Sequence, residues 1–130
     1  MATVTFRDET ATGKSLQSFD LPDVPDTITV RELVRLRVRE EVARYNAAPT
    51  GYFAGLVRPD EADPSGSGYR LRSARTLDWE KQADVACRAF DRNGFFVLVG
   101  DRQVEELDDI VDLTTAADVA FVKLVPLVGG

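Results

Sequence analysis

Two runs, FFVLV at 95–99 and VAFVKLV at 119–125, constrain this chain more than anything else in it. Each is β-branched or aromatic through most of its length, and neither alternates apolar with polar residues as a half-exposed antiparallel strand does. Such runs belong in the middle of a sheet, with neighbours on both sides. The run from Val119 is therefore the expected central strand, and the rest of the chain has to supply strands beside it and a helix to cover it.

The cover is legible at Thr29-Val-Arg-Glu32, a capping box in which a hydroxyl and a glutamate three residues on can satisfy two free N–H groups at a helix start. From there Val30, Leu33, Val34, Val38, Val42 and Tyr45 recur at i, i+3, i+4 spacing, the stripe that should pack against the sheet. Arg31, Arg35, Arg39 and Glu40 fall among the solvent-facing positions. Pro49 disfavours helical geometry at Ala48 and should end the helix there.

Other elements follow from local signals. TVTFRD (3–8) and SLQSFDL (15–21) read as a first hairpin across ETATGK, whose Gly13 can take a positive φ, and Pro22 and Pro25 are expected to exclude regular structure beyond it. Between Thr50 and Thr76, YFAGLVRP and YRLRS read as an inserted hairpin around DEADPSGSG (60–68), a loop expected to be mobile and dispensable for stability. Thr76 or Asp78 then caps a second helix with Trp79, Ala83, Ala86 and Phe90 on one stripe, stopped by Asn93-Gly94. After FFVLV come a turn at Gly100-Asp101, a short RQVEEL segment and a loop through DDIVDLTTAAD. The expectation is an α+β fold, a single domain over 1–130.

Charge and composition narrow the function. A net charge of −6 and a pI near 4.6 argue against nucleic acid or an anionic membrane as partner and favour a basic protein surface. The complete absence of histidine removes Ser/His/Asp and Cys/His pairs, histidine metal ligands and the commonest general base. Glu105, Glu106, Asp108 and Asp109 read as a solvated loop face rather than a catalytic pair. Cys87, the single cysteine, reads as a small hydrophobe beside the second helix stripe and cannot close an internal disulfide. We therefore assign no catalytic residue, metal or cofactor and read the chain as a non-enzyme. A start without a signal pattern and the lack of any 18-residue apolar window point to the cytoplasm, and an arginine-rich basic set with three lysines points to a GC-rich bacterial genome.

One stretch resists a packing explanation. FVKLVPLVGG, 121–130, finishes an apolar run on two glycines, which lose the most conformational freedom on folding and add nothing to a core. The order β, β, α, a later helix, β, short β and a closing β ending in glycines describes a β-grasp, a mixed sheet curled around one main helix. Three pieces carry a resemblance to the ubiquitin-like superfamily and its sulfur-carrier branch, the small subunit of molybdopterin synthase and the thiamine sulfur carrier: TVRELV (29–34), FVLVGDRQVEELDD (96–109) and ADVAFVKLVPLVGG (117–130). The segment of about residues 50–92 lies partly outside that pattern, as an insertion.

The resemblance implies a function for the tail 126–130. In that superfamily a ThiF-type activating enzyme uses ATP to adenylate the terminal carboxylate, which then passes to a conjugation target or becomes a thiocarboxylate for a sulfur-accepting enzyme. Gly129 and Gly130 would then be the reacting end, free of Cβ crowding. Pro126 would end sheet pairing by withholding an N–H, and Leu127 and Val128 would grip the partner. Three readings stand: a bacterial ubiquitin-like protein modifier, a sulfur carrier favoured by the proline before the glycines, and a β-grasp binding module without tail chemistry.

Overall fold

The computed structural model describes residues 1–124. The closing residues Val125, Pro126, Leu127, Val128, Gly129 and Gly130, and with them every residue assigned above to tail chemistry, lie outside the described residues. The architecture is α+β, with a mixed five-stranded sheet and, among the described residues, two helices.

The sheet contains β1 (Ala2–Thr10), β2 (Ser15–Val24), β7 (Phe95–Val99), β8 (Arg102–Val104) and β10 (Asp118–Lys123), in the order β2-β1-β10-β7-β8. FFVLV is the whole of β7. The closing strand is central as expected: it runs parallel to β1, with Phe6 opposite Val119, and antiparallel to β7, with Phe121 opposite Val97. Val119, Ala120, Phe121 and Lys123 are all buried, and Phe6 and Phe121 meet edge to face at 5.7 Å.

Helix α1 (Val30–Ala47) begins where the capping box predicts, with Thr29 Oγ1 accepting the Glu32 N–H at 3.2 Å, and stops before Pro49. Its buried face includes Val30, Leu33, Val34, Val38, Val42 and Tyr45, and also Arg37 and Glu41, which the apolar stripe did not include. Helix α2 (Trp79–Asp91) is capped by Asp78, whose carboxylate accepts the Glu80 N–H at 3.0 Å. It ends with Asn93 at φ 60 and Gly94 N–H bonded to Ala89 O at 2.8 Å, a Schellman closure. Ala83, Ala86 and Phe90 are buried, whereas Trp79 is only half covered.

Three local expectations are corrected. Pro22 does not end β2, which continues to Val24: the strand is outermost, so a missing N–H removes no ladder bond, and a register shift with Asp23 at φ 62 absorbs one extra residue. DEADPSGSG is not an open loop. Ala62–Ser65 forms β5, which pairs with β6 (Gly68–Leu71) through a two-residue turn at Gly66-Ser67, with Gly66 at φ 59. With β4 (Tyr52–Phe53) these make a three-stranded sheet ordered β4-β6-β5. Finally, DDIVDLTTAAD contains β9 (Ile110–Asp112), paired antiparallel with β3 (Thr27–Thr29) just before α1.

Among the described residues no helix is long and apolar enough to cross a membrane.

Candidate functional site

The assigned tail follows β10, so the site that can be built from side chains is the root of that tail, the end of β10 at Lys123 and Leu124. Alternation places Val4, Phe6 and Asp8 of β1 on the buried face, which brings a carboxylate into the core beside β10. Arg37 of α1, fully buried, meets it: Nη2 donates to Asp8 Oδ2 at 2.7 Å and Nη1 to Asp8 Oδ1, while Nη2 lies 3.0 Å from Glu41 Oε2 one helical turn on. The guanidinium also sits over the Phe121 ring, 4.7 Å from its centroid. A second cation, Lys123, enters from β10. Asp8, Arg37, Glu41 and Lys123 thus bring two charges of each sign into one buried region.

These groups and two glutamines hold a short stretch of chain that lacks regular structure of its own. Residues 54–57 are each held by one side chain from a different element. Gln17 of β2 donates to Ala54 O at 3.0 Å, Lys123 of β10 to Gly55 O at 2.7 Å, and Gln82 of α2 to Val57 O at 3.4 Å; Leu56 N–H donates to Glu41 Oε1 of α1 at 3.2 Å. Lys123 Nζ also donates to Ser67 O at 2.8 Å, in the β5–β6 turn, and lies 5.8 Å from the Tyr69 ring centroid. Gly55 is required by packing, since a Cβ there would stand 2.0 Å from the Phe53 ring.

Burial governs the electrostatics. It pushes the Glu41 carboxyl above its ordinary range, opposed by the Arg37 charge and the Leu56 N–H, and it lowers the Lys123 ammonium, opposed by the Asp8 and Glu41 charges. No buried side-chain polar atom among the described residues lacks a hydrogen-bond partner, as a buried ionic network needs if it is not to be strongly destabilising.

Beside Lys123 a cavity of about 50 Å³ is lined by Leu56, Gly68, Tyr69, Phe95 and Leu124 among others. It has room for about one or two waters, far less than a substrate pocket of roughly 300–1,000 Å³. Leu124, at its edge, is 42% exposed. Lys123 Nζ is buried there and committed to the Gly55 and Ser67 carbonyls. What it can do is tie the end of β10 to residues 54–57 and to the small sheet through Gly55 and Ser67.

Elsewhere, Glu105, Glu106, Asp108 and Asp109 are exposed, and Cys87 is half-buried with its thiol pushed up by burial. Among the described residues no group of His, Cys, Asp and Glu is arranged to hold a metal ion. Reading the apolar stripe alone missed Asp8, Arg37, Glu41 and Lys123. The signal was positional: Asp8 continues the Val4–Phe6 alternation, and Arg37 and Glu41 fall three residues after Val34 and Val38 on the core stripe.

No protein-family model matches this chain, and no match is found among curated proteins or solved structures.

Proposed function

We propose that this chain is a ubiquitin-like β-grasp protein whose Gly130 carboxylate is activated by a ThiF-type enzyme for transfer to a target. The observation that supports this reading is the position of β10: a central strand, parallel to β1, directed into the sequence Val125-Pro126-Leu127-Val128-Gly129-Gly130. A fixed strand leading into a segment that ends in two glycines suits delivery of a carbonyl into another protein's nucleotide site. In the reaction the carboxylate oxygen attacks the α-phosphorus of ATP and pyrophosphate leaves. The resulting acyl-adenylate has the leaving group that a carboxylate lacks, and a thiol or amine then displaces AMP. Gly129 and Gly130 present no Cβ to that attack.

Two other readings compete on particular observations. Pro126 directly ahead of Leu-Val-Gly-Gly favours a sulfur carrier, in which the activated carbonyl ends as a thiocarboxylate. The folding of residues 60–68 into a sheet anchored on Lys123 favours a binding module, because that segment presents a built surface rather than a slack loop.

The test is ATP-dependent pyrophosphate exchange with the ThiF-type enzyme encoded nearest this gene, followed by intact mass. The wild type should exchange, deletion of Gly129 and Gly130 should abolish exchange, and Gly130→Ala and Gly129→Val should slow it. Attachment to an amine identifies the modifier, and replacement of an oxygen by sulfur identifies the carrier. Equal exchange by wild type and deletion, or none by either with an enzyme competent on another substrate, leaves the binding module.

A further inference from the structure

Amines are scarce in this chain. Beside the Met1 amino group there are three lysines, Lys14, Lys81 and Lys123. All but one of these groups are committed. Met1 N pairs with Asp26 at 2.9 Å, and Lys81 Nζ pairs with Asp60 at 2.7 Å, a bond that raises the Lys81 pKa and withholds the neutral amine. Lys123 Nζ is buried on two carbonyls. Lys14 forms no ion pair among the described residues. It closes the β1–β2 turn, where Thr10 N–H donates to Lys14 O at 2.9 Å and Lys14 N–H to Thr10 Oγ1 at 3.1 Å. Residues 11–15 are all exposed, and a Cβ on Gly13 would meet nothing within 4 Å.

The register of the sheet puts that amine beside the root of the tail. β1 and β10 run parallel with Thr10 opposite Lys123, so the turn after β1 and the residues after β10 leave the same end of the sheet. Two strand spacings separate Lys14 from Lys123, about 10 Å at ~4.8 Å each. Gly130 comes seven residues after Lys123, and that length of extended chain spans up to about 23 Å. Lys14 is therefore well within the covalent reach of the terminal carbonyl. Met1 is not: it stands nine residues back from Thr10, about 30 Å at ~3.3 Å per residue, at the opposite end of the sheet.

We infer that Lys14 is an intramolecular acceptor for the activated Gly130 carboxylate, closing the chain into an isopeptide ring when no other acceptor takes the acyl group. The source of activation rests on the tail reading above. Lys14 Nζ, as the neutral amine, attacks the Gly130 carbonyl carbon; a C–N bond forms, the C–O bond to AMP breaks, AMP leaves, and the amine proton passes to water. Both groups belong to one chain, so the step is favoured over capture by a dilute external amine as long as the linking segment spans the gap. The consequence is self-capping: activation without a receiving partner consumes the chain's own tail.

A full chain carrying a Gly130 thioester, released from a C-terminal intein by a small thiol, tests the geometry without any activating enzyme. At mildly alkaline pH, intact mass should show a product one water lighter than the free acid, formed at a rate unchanged by about tenfold dilution, and peptide mapping should join Gly130 to Lys14. Lys14→Arg keeps the charge and the backbone bonds of the turn and should only hydrolyse, whereas Lys81→Arg should close like the wild type. Linkage to Lys81 or Met1, chains joined to one another, or hydrolysis alone in the wild type overturns the acceptor assignment. With the ThiF-type enzyme and ATP, wild type and Lys14→Arg should support equal pyrophosphate exchange, and only the wild type should become one water lighter. Exchange without closure also overturns the assignment. No exchange by either, with the thioester still closing, overturns the tail reading and leaves Lys14 as the acceptor.

Discussion

Two regions meet the same body of the protein by different means. Along α1 the contact is made by Val30, Leu33, Val34, Val38 and Val42, all at or below 1% exposure, with Arg37 and Glu41 set among them. The segment from Gly51 to Leu77 buries Phe53, Leu56, Val57, Ala62, Leu71 and Leu77 in the same core but adds a set of directed polar bonds to that contact. Beyond the four that grip residues 54–57, Tyr45 Oη donates to Arg75 O at 2.9 Å and accepts Gly51 N–H at 3.3 Å, and the Asn46 amide exchanges bonds of 2.8 and 2.9 Å with Leu77. Apolar contact is non-directional and scales with area, so it tolerates repacking of similar volume. Polar anchoring depends on individual atoms, and loss of one leaves a buried partner unsatisfied. The helix seam should therefore lose stability in proportion to buried volume, whereas the small sheet should come loose locally when single anchors are removed.

The largest effect is expected where the two modes coincide. Arg37→Met would leave Asp8 and Glu41 buried without the guanidinium that bridges them, two carboxylates facing the single remaining cation Lys123, and should cost about 3–5 kcal/mol in urea unfolding. A loss under about 1 kcal/mol would mean that the two carboxylates reach water on their own. Leu33→Ala, in the purely apolar part of the seam, should cost about 2–5 kcal/mol. Retention of wild-type stability would put Leu33 at the surface and undo the assignment of the helix face.

Lys123→Met removes the donor to Gly55 O and Ser67 O and should cost about 1–3 kcal/mol. Its effect should be regional: in hydrogen exchange, protection should fall across 52–71 and persist in β1 and β7. Uniform loss across both sheets would erase the distinction between the two regions. Shortening residues 60–68 to four, expected from sequence to change nothing, should instead cost about 1 kcal/mol, because β5 and the Ser67 carbonyl go with them. An unchanged melting temperature would show that the small sheet stands on residues 54–57 alone. Deleting Gly129 and Gly130 should have the smallest effect on folding, within about 0.5 kcal/mol, while abolishing pyrophosphate exchange if the tail reading is right.

The apolar elements were legible because their periodicity is local. FFVLV coincides with β7, the stripe from Val30 to Tyr45 lies on the buried face of α1, and Asp78 caps α2. The small strands were not legible. Ala62–Ser65 reads ADPS, with the composition of a turn, and becomes a strand because Ala62 and Pro64 find register with Leu71 and Tyr69 of β6. Ile110–Asp112 is likewise a strand through its pairing with Thr27–Thr29, a neighbour some eighty residues away in sequence. Of the tail root, Lys123 was visible only as one charge in an apolar run, and nothing in its neighbours named Gly55 or Ser67 as its acceptors.

By itself the sequence determined the central pair of strands, the extents of both helices and the acidic surface, since each depends on spacing, capping chemistry or summed charge within one stretch of chain. The tertiary structure alone decided which charges are inside. A carboxylate at Asp8, a guanidinium at Arg37 and an ammonium at Lys123 can be buried only if opposite charges and free carbonyls arrive from other elements, because an isolated ion in a low-dielectric core is too costly. That condition is met by the parallel pairing of β1 with β10 and the crossing of residues 54–57 over their ends, both contacts between residues far apart in the chain.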